Sequence, residues 1–425
     1  MQTQESKMFR TLGASELNFA NAPSSPIIAC VTMRGRLDHR RLLSAFRRLC
    51  EECPLLKSRL THNGADWHFT LDDKCVEPAM SVASSRSDAL NKLGQARFDR
   101  NSTLSTLTVF EADSETTVAL SIDHIIGDGK SLIALLERLA VYYSCNNNTE
   151  SHPYDRYEPH LPESVDVLLE HAWTSEQVLH YINTVTDELA GKPVLRITSS
   201  NEVRSATPDF TMFSSTFDAV QSDRLRTIAK AWGVRFSALA LSAIAKAIKV
   251  AAAHDRDDDR PVVLFVPVDL RNRVHPTVEA LHMTNFAGAI GFRSIPRFSR
   301  SDSIRHIADQ YDFQLRQSLM DHDAERGILA MARPDCPDIE SPTCVVSILG
   351  DLDYPIVFDE NRIESIDVCG LAPGRAPIIL VTRYAQELTF RFCLDGTLFP
   401  SSDMERVVEQ FNCLLEQLLS EEVSL

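Results

Sequence analysis

Long apolar runs are missing from this sequence: nowhere do the ~18 to 20 consecutive apolar residues that span a bilayer occur. A membrane-spanning helix is therefore excluded as an expectation. The opening MQTQESKMFRTLGASELNF also lacks the basic segment followed by an apolar core that marks a secretory leader, so the expected location is the cytoplasm. Positive charge is in deficit, with 43 Lys and Arg against 59 Asp and Glu and a formal net charge of -16. Phosphate backbones need a broad positive field, so no nucleic acid partner is expected. Neither a phosphate-binding P-loop nor a Rossmann glycine pattern is present.

Metal-ligand spacing is lacking too. The run His254 to Arg260 places arginines among its acids, where they compete with any cation, and it reads as a solvated loop between a helix and a strand. His171 and His180 are nine residues apart and fall on roughly opposite helix faces. No metal is expected.

The composition that remains is that of an ordinary globular protein, 44% hydrophobic and 24% charged over 425 residues. A chain this long exceeds one compact core, so two domains of roughly 150 to 250 residues are expected. The ten cysteines lie mostly in apolar segments such as SPIIACV, CVVSIL and FRFCL and read as buried hydrophobes in a reducing compartment. Cys50 and Cys53 have redox-motif spacing. They end a helix, however, whereas thiolate activation belongs at a helix N-terminus.

Strand and helix patterns alternate throughout. SPIIACVTMRG reads as a strand, and the segment after it, with Leu42, Phe46 and Leu49 at helical spacing, reads as an amphipathic helix. Short strands are expected at 56–61, 66–71 and 105–111, with a helix at 88–98. The run 116–122, TTVALSI, has the character of a strand buried on both faces. A helix over 131–143 carries Leu132, Leu135, Leu136 and Leu139 on one face. The polar stretch 145–165 is a loop, and a helix over 163–189 follows. The second half repeats the mixture, with strands at 210–217, 262–267, 343–348, 378–384 and 388–394 and helices at 219–232, 236–253, 303–319 and 402–419. The turn-rich segment 191–208 is the expected crossover between domains 1–190 and 209–425.

Chemistry is concentrated in His124-Ile125-Ile126-Gly127-Asp128-Gly129, at the end of the buried strand and just before a helix. An imidazole, whose ordinary pKa is about 6.5, takes a proton from a hydroxyl and returns it to a leaving thiolate at neutral pH. Gly127 and Gly129 supply turn angles that other residues resist. Spacing alone is weak, since H-x-x-x-D-G arises by chance in roughly a few per cent of chains this long. The bland alternative is a hydrogen-bonded histidine in a turn, with Asp128 capping the next helix.

HIIGDG after a buried strand resembles the H-x-x-x-D-G signature shared by plant acyl-CoA acyltransferases, peptide-synthetase condensation domains and polyketide-associated acyltransferases. FRTLGASELNF is similar to the R-x-L-x-x-x-E opening of the phthiocerol dimycocerosyl transferase group, and FVPVDLR at 265–271 resembles its P-V-D-L-R segment. Thr284-Asn285-Phe286-Ala287-Gly288, SILGDLDYP at 347–355 and the strands IILVTRY and LTFRFCLDG follow in the same order. Condensation domains and the dimycocerosyl transferases usually carry a second histidine immediately before the catalytic one, where this chain has Asp123; that weakens an amide-forming condensation assignment. The D-F-G-W-G segment of the plant enzymes is absent, which favours the polyketide-associated branch.

The resemblance implies an α/β protein of two chloramphenicol-acetyltransferase-like domains, mixed sheets flanked by helices, with an active-site tunnel between them. It further implies an O-acyltransferase in which His124 is the general base. Asp128 and Gly129 shape the turn, and Arg271 pairs with Asp128, with Arg273 as the competing partner. Expected partners are an acyl-CoA or acyl carrier protein donor and a small alcohol or amine acceptor, with no cofactor beyond the thioester and a monomeric chain. The alternatives are a stand-alone amide-forming condensation enzyme and a catalytically silent carrier-binding domain. Arg34, Arg36, Arg40, Arg41, Arg47 and Arg48 form a positive island suited to an acidic carrier or to coenzyme A phosphates, or are simply the solvated face of their helix.

Overall fold

The computed structural model describes residues 8–64, 66–72, 74–76, 79–83, 90, 93–94, 97–112, 114–145, 161–191, 193–197, 209–252, 259–333, 336, 341–352, 356–371 and 376–421. Much of the helix expected over 88–98, most of the loop 145–165, most of the crossover 191–208, residues 254–258 and the end of SILGDLDYP lie outside the described residues. The chain forms two compact units. One comprises residues 1–170, 271–286 and 353–373; the other comprises 171–270, 287–352 and 374–425.

In the first unit, Pro26–Arg34 and Glu115–Asp123 are buried at every position but one each, the mark of strands covered on both faces. They pair antiparallel along their whole length, from Pro26 opposite Asp123 to Arg34 opposite Glu115. Around them the five-stranded sheet runs in the order Ile363–Gly370, Pro26–Arg34, Glu115–Asp123, Ser105–Glu111, Met80–Ala83, with only the last pair parallel. Two helices cover it. His39–Glu52 is capped by Asp38, which accepts from the Arg40 and Arg41 amides, and it buries Leu42, Phe46 and Leu49. Gly129–Ser144 buries Leu132, Leu135, Leu136 and Leu139 and packs on the first helix. A small antiparallel sheet joins Met8–Thr11, Trp67–Leu71 and Arg59–His62. The strand expected at 56–61 starts later, because Pro54 opens a 3-10 turn over Pro54–Lys57.

Strand Ile363–Gly370 accounts for a departure from consecutive halves. It lies far beyond 191–208 in sequence yet hydrogen-bonds to Pro26–Arg34, so its segment clusters with the first unit, as does 271–286. The helix expected over 163–189 is two helices, Val165–Leu169 and Ser175–Leu189. The cause is local: the Thr174 hydroxyl accepts the Gln177 amide while the Gln177 side chain accepts the Thr174 amide, a capping box that starts a new helix.

The second unit is a six-stranded mixed sheet ordered Ala287–Ile290, Leu264–Asp269, Cys344–Asp351, Ile378–Tyr384, Glu387–Asp395, Phe210–Phe217, in which Cys344–Asp351 runs parallel to both neighbours. Alanine-rich Phe236–Ala252 is buried almost throughout between Ile304–Met320 and Ser401–Ser420, because small side chains let helices approach closely. Helix Ala219–Trp232 begins with a capping box from Asp218 and Gln221 and ends at Gly233, whose φ of 75° is the left-handed value that glycine adopts without strain. Sequence patterning did not signal helix Asp323–Met331 or strand Ala287–Ile290. Among the described residues no helix is long and apolar enough to cross a membrane.

Candidate active site

Strand Glu115–Asp123 ends in one turn of 3-10 helix, His124–Ile126, and helix Gly129–Ser144 starts three residues later. The His124 amide donates to the Ser25 carbonyl at 3.0 Å, which seats the turn on the neighbouring strand. The imidazole is half-buried. Its Nδ1 lies 2.9 Å from the Gly127 carbonyl oxygen. A carbonyl only accepts, so Nδ1 carries the proton and Nε2 is left with its lone pair. Asn285 Nδ2 lies 3.3 Å from the same nitrogen; with the proton on Nδ1, that amide can bond to it only through its oxygen, after the amide is flipped. The Phe19 ring packs 5.2 Å from the imidazole at 45°.

Asp128 does not face this ring. It caps the helix: Oδ1 accepts the Ser131 amide at 3.0 Å, and Oδ2 accepts the Phe286 amide at 2.9 Å. Arg271 Nη2 completes the set, 3.0 Å from Oδ2, and also donates to the Ser131 hydroxyl at 2.7 Å. Both partners are buried, Asp128 at 5% and Arg271 at 3% exposure, and the guanidinium lies over the Phe286 ring. Burial pushes the Asp128 carboxyl up, but Arg271 and the Ser131 and Phe286 amides outweigh it and hold the carboxyl below the usual carboxylate range. Arg273, the competing partner in sequence, is half-exposed.

The glycines act differently from the sequence expectation. Gly127 has φ 178° and ψ 175°, extended backbone open to any residue. What it requires is space, since a Cβ there would meet Ile122 Cδ1 at 3.0 Å and Met283 Cε and Ser131 Cβ at 3.2 Å. Gly129 is the first residue of the helix, outside the left-handed region.

Asp123, in the position before His124, is fully buried and held by Arg100, with Nε 2.7 Å and Nη2 3.0 Å from its two oxygens. It also accepts from the Ser24 hydroxyl and from the Ile125 amide, capping the 3-10 turn. Sequence reasoning missed Arg100, Asn285 and Phe19. A charged residue ending a wholly buried strand was the available signal for Arg100, because such a charge needs a partner.

Two segments quoted only for their resemblance converge here. Glu16, 1% exposed, pairs with Arg10 at 2.7 Å and accepts the Gly13 amide and the Thr284 hydroxyl. Thr284 is adjacent to Asn285, and Glu16 shares helix Ala14–Asn21 with Phe19, so the R-x-L-x-x-x-E and T-N segments both reach His124.

Other candidates stand apart. Cys50 and Cys53 are buried and unlinked, and burial pushes the Cys53 thiol far above its ordinary value, which removes thiolate chemistry. Within the arginine island, Arg41 pairs with Asp359, Arg34 pairs with Glu364, and Arg48 lies over Tyr142, whereas Arg36, Arg40 and Arg47 are exposed. His171 and His180 are exposed, and among the described residues no group of His, Cys, Asp or Glu is placed to hold a metal ion.

Comparison with known proteins gives two family matches. The condensation-domain model matches residues 15–256, and the phthiocerol/phthiodiolone dimycocerosyl transferase C-terminus model matches residues 207–357. A comparison with curated proteins finds no match. Several solved structures share the fold of two chloramphenicol-acetyltransferase-like lobes. The first condensation domain of the calcium-dependent antibiotic synthetase is 16% identical with TM-score 0.74, covering 98% of both chains. Polyketide synthase associated protein 5 from Mycobacterium tuberculosis is 18% identical with TM-score 0.71, covering 96% of this chain and 98% of that one. Trichothecene 15-O-acetyltransferase from Fusarium sporotrichioides is 12% identical with TM-score 0.73, covering 96% and 95%.

Proposed function

The chain belongs to the condensation-domain family, and from that premise we propose that it is an O-acyltransferase: it moves an acyl group from a coenzyme A or acyl-carrier-protein thioester to a hydroxyl acceptor. One observation carries the reading. The His124 ring is anchored through Nδ1 to Gly127, so its basic nitrogen is Nε2. Nε2 takes the proton of the acceptor hydroxyl as that oxygen attacks the thioester carbonyl carbon. The tetrahedral oxyanion then collapses, the carbon–sulfur bond breaks, and the proton passes from Nε2 to the departing thiolate, giving ester and free thiol. Asp128 takes no part in the proton transfer, because its oxygens serve Ser131, Phe286 and Arg271. The reaction so written uses no cofactor beyond the donor, and we place it in a monomeric cytoplasmic enzyme.

The condensation-domain match also favours a second reading, in which the nucleophile is an amine and the product an amide. A third, a silent carrier-binding domain, lacks support from an intact His124 turn. Release of free thiol from a panel of acyl-CoA and acyl-carrier thioesters, with alcohols and amines supplied separately, decides among them. General-base catalysis is worth about 10² to 10⁴-fold, on the order of 3 to 5 kcal/mol of barrier, so His124→Ala should lose at least that lower bound. A loss below tenfold removes His124 from the chemistry. Turnover with amines alone selects the amide reading, and silence with every donor and acceptor selects the binding role.

A further inference from the structure

We propose that Arg100 is a positioning residue for His124, clamping through Asp123 the turn that aims the imidazole. The inference rests on His124 acting as the base. The residue before that histidine is Asp123, a carboxylate with no exposure to solvent. A bare carboxylate there would be a buried charge one residue from the base. Arg100 neutralises it with a two-pronged contact, Nε at 2.7 Å and Nη2 at 3.0 Å, and Asp123 in turn caps the His124–Ile126 turn through the Ile125 amide at 3.1 Å.

The same guanidinium also reaches the helix that carries Phe19. Its Nη1 donates to the carbonyls of Phe19, Ala20 and Ala22 at 2.8, 3.2 and 2.9 Å. These close the C-terminal end of helix Ala14–Asn21, where carbonyls lack intrahelical partners and a cation is favoured. That helix end presents Phe19, whose ring packs on His124. One side chain, 14% exposed, therefore fixes both the turn that carries the imidazole and the aromatic wall beside it. A lysine keeps the charge but cannot hold Asp123 with a fork and three carbonyls at once.

The test combines kinetics with a direct view of the ring. In Arg100→Met, kcat should fall by on the order of tenfold to 100-fold with KM nearly unchanged, the size expected for a displaced catalytic group. Arg100→Lys should recover part of the loss, and added guanidinium should raise kcat in Arg100→Ala. In nitrogen-15 spectra of histidine-labelled protein, the His124 signal, assigned by its absence in His124→Gln, should show Nδ1 protonated in the native protein and a tautomer mixture in Arg100→Lys and Arg100→Met. If Arg100→Met fails to fold, the lysine variant still decides. Wild-type kcat in Arg100→Lys with an unaltered ring signal overturns the proposal, as does a change confined to KM. Absent thioester turnover in the native protein would sink the acyl-transfer reading alone, since the ring signal reports positioning without catalysis.

Discussion

Replacing Arg271 with methionine isolates what its buried pair with Asp128 contributes. The substitution removes the 3.0 Å contact, the bond to the Ser131 hydroxyl and the stacking over Phe286, and leaves a carboxylate at 5% exposure with two amide donors. Breaking a buried pair from one side costs about 3 to 5 kcal/mol. For a folding unit of about 150 to 250 residues, each kcal/mol moves Tm by roughly 2 to 4 °C, so the expected fall is roughly 6 to 20 °C. In the native protein the Asp128 carboxyl is held low, so its contribution is complete above the unfolded value of about 3.9 and is lost as pH falls through the folded value. In Arg271→Met, burial dominates and raises the carboxyl instead; the variant is penalised most at pH 7 to 8, and proton uptake relieves it on acidification. The gap to wild type should narrow as the pH is lowered toward about 5. Adding Asp128→Asn should recover at least ~1 kcal/mol, because a buried neutral amide costs less than a buried unpaired charge. Urea unfolding at pH 8 and pH 5 measures the free-energy loss, its pH dependence and the recovery, and thermal unfolding measures the fall in Tm. A gap that does not change with pH, or a double variant weaker than Arg271→Met, refutes the reasoning.

Gly127→Ala should destabilise by about 1 to 3 kcal/mol and impair turnover through crowding against Met283 and Ile122. Since the backbone there is extended, adding Met283→Ala should restore part of both; no recovery in the double variant would point to backbone strain instead. Charge reversal at the exposed Arg40 and Arg47 should raise the apparent KM for a carrier-bound donor and weaken its salt dependence. Unchanged kinetics with that donor would leave the two as a solvated helix face.

What was legible in the sequence was what is local. The run 116–122 announced a strand buried on both faces, and Glu115–Asp123 is one; Leu132, Leu135, Leu136 and Leu139 announced a helix, and they are buried residues of Gly129–Ser144. Contacts across long separations were legible only where a resemblance supplied them. Asp128 and Arg271 are 143 residues apart, and no periodicity links them. Asn285 reaches His124 across 161 residues, and Thr284 reaches Glu16 across 268, so their segments could be quoted while their meeting point could not. Gly127 misled for another reason: glycine is read first as conformational freedom, whereas here it is an absence of volume at a strand-to-helix turn.

Two carboxylates flank His124. Asp123 precedes it by one residue and Asp128 follows by four, both buried, and either could have been directed at the imidazole. Each is instead committed to an arginine and to a backbone amide, Asp123 to Arg100 and Ile125, Asp128 to Arg271 and to Ser131 and Phe286. The ring is left with a carbonyl, an amide side chain and a phenyl face, all uncharged. If His124 is the base that the proposed reaction requires, it must accept a proton and give it up again in one turnover, and a neighbouring carboxylate would favour the protonated form and slow its return. Two charges kept near the imidazole yet turned away from it give the turn its rigidity without that penalty. On that reading the motif aspartate and its arginine brace the histidine, since both Asp128 oxygens are taken up by Arg271 and by the Ser131 and Phe286 amides.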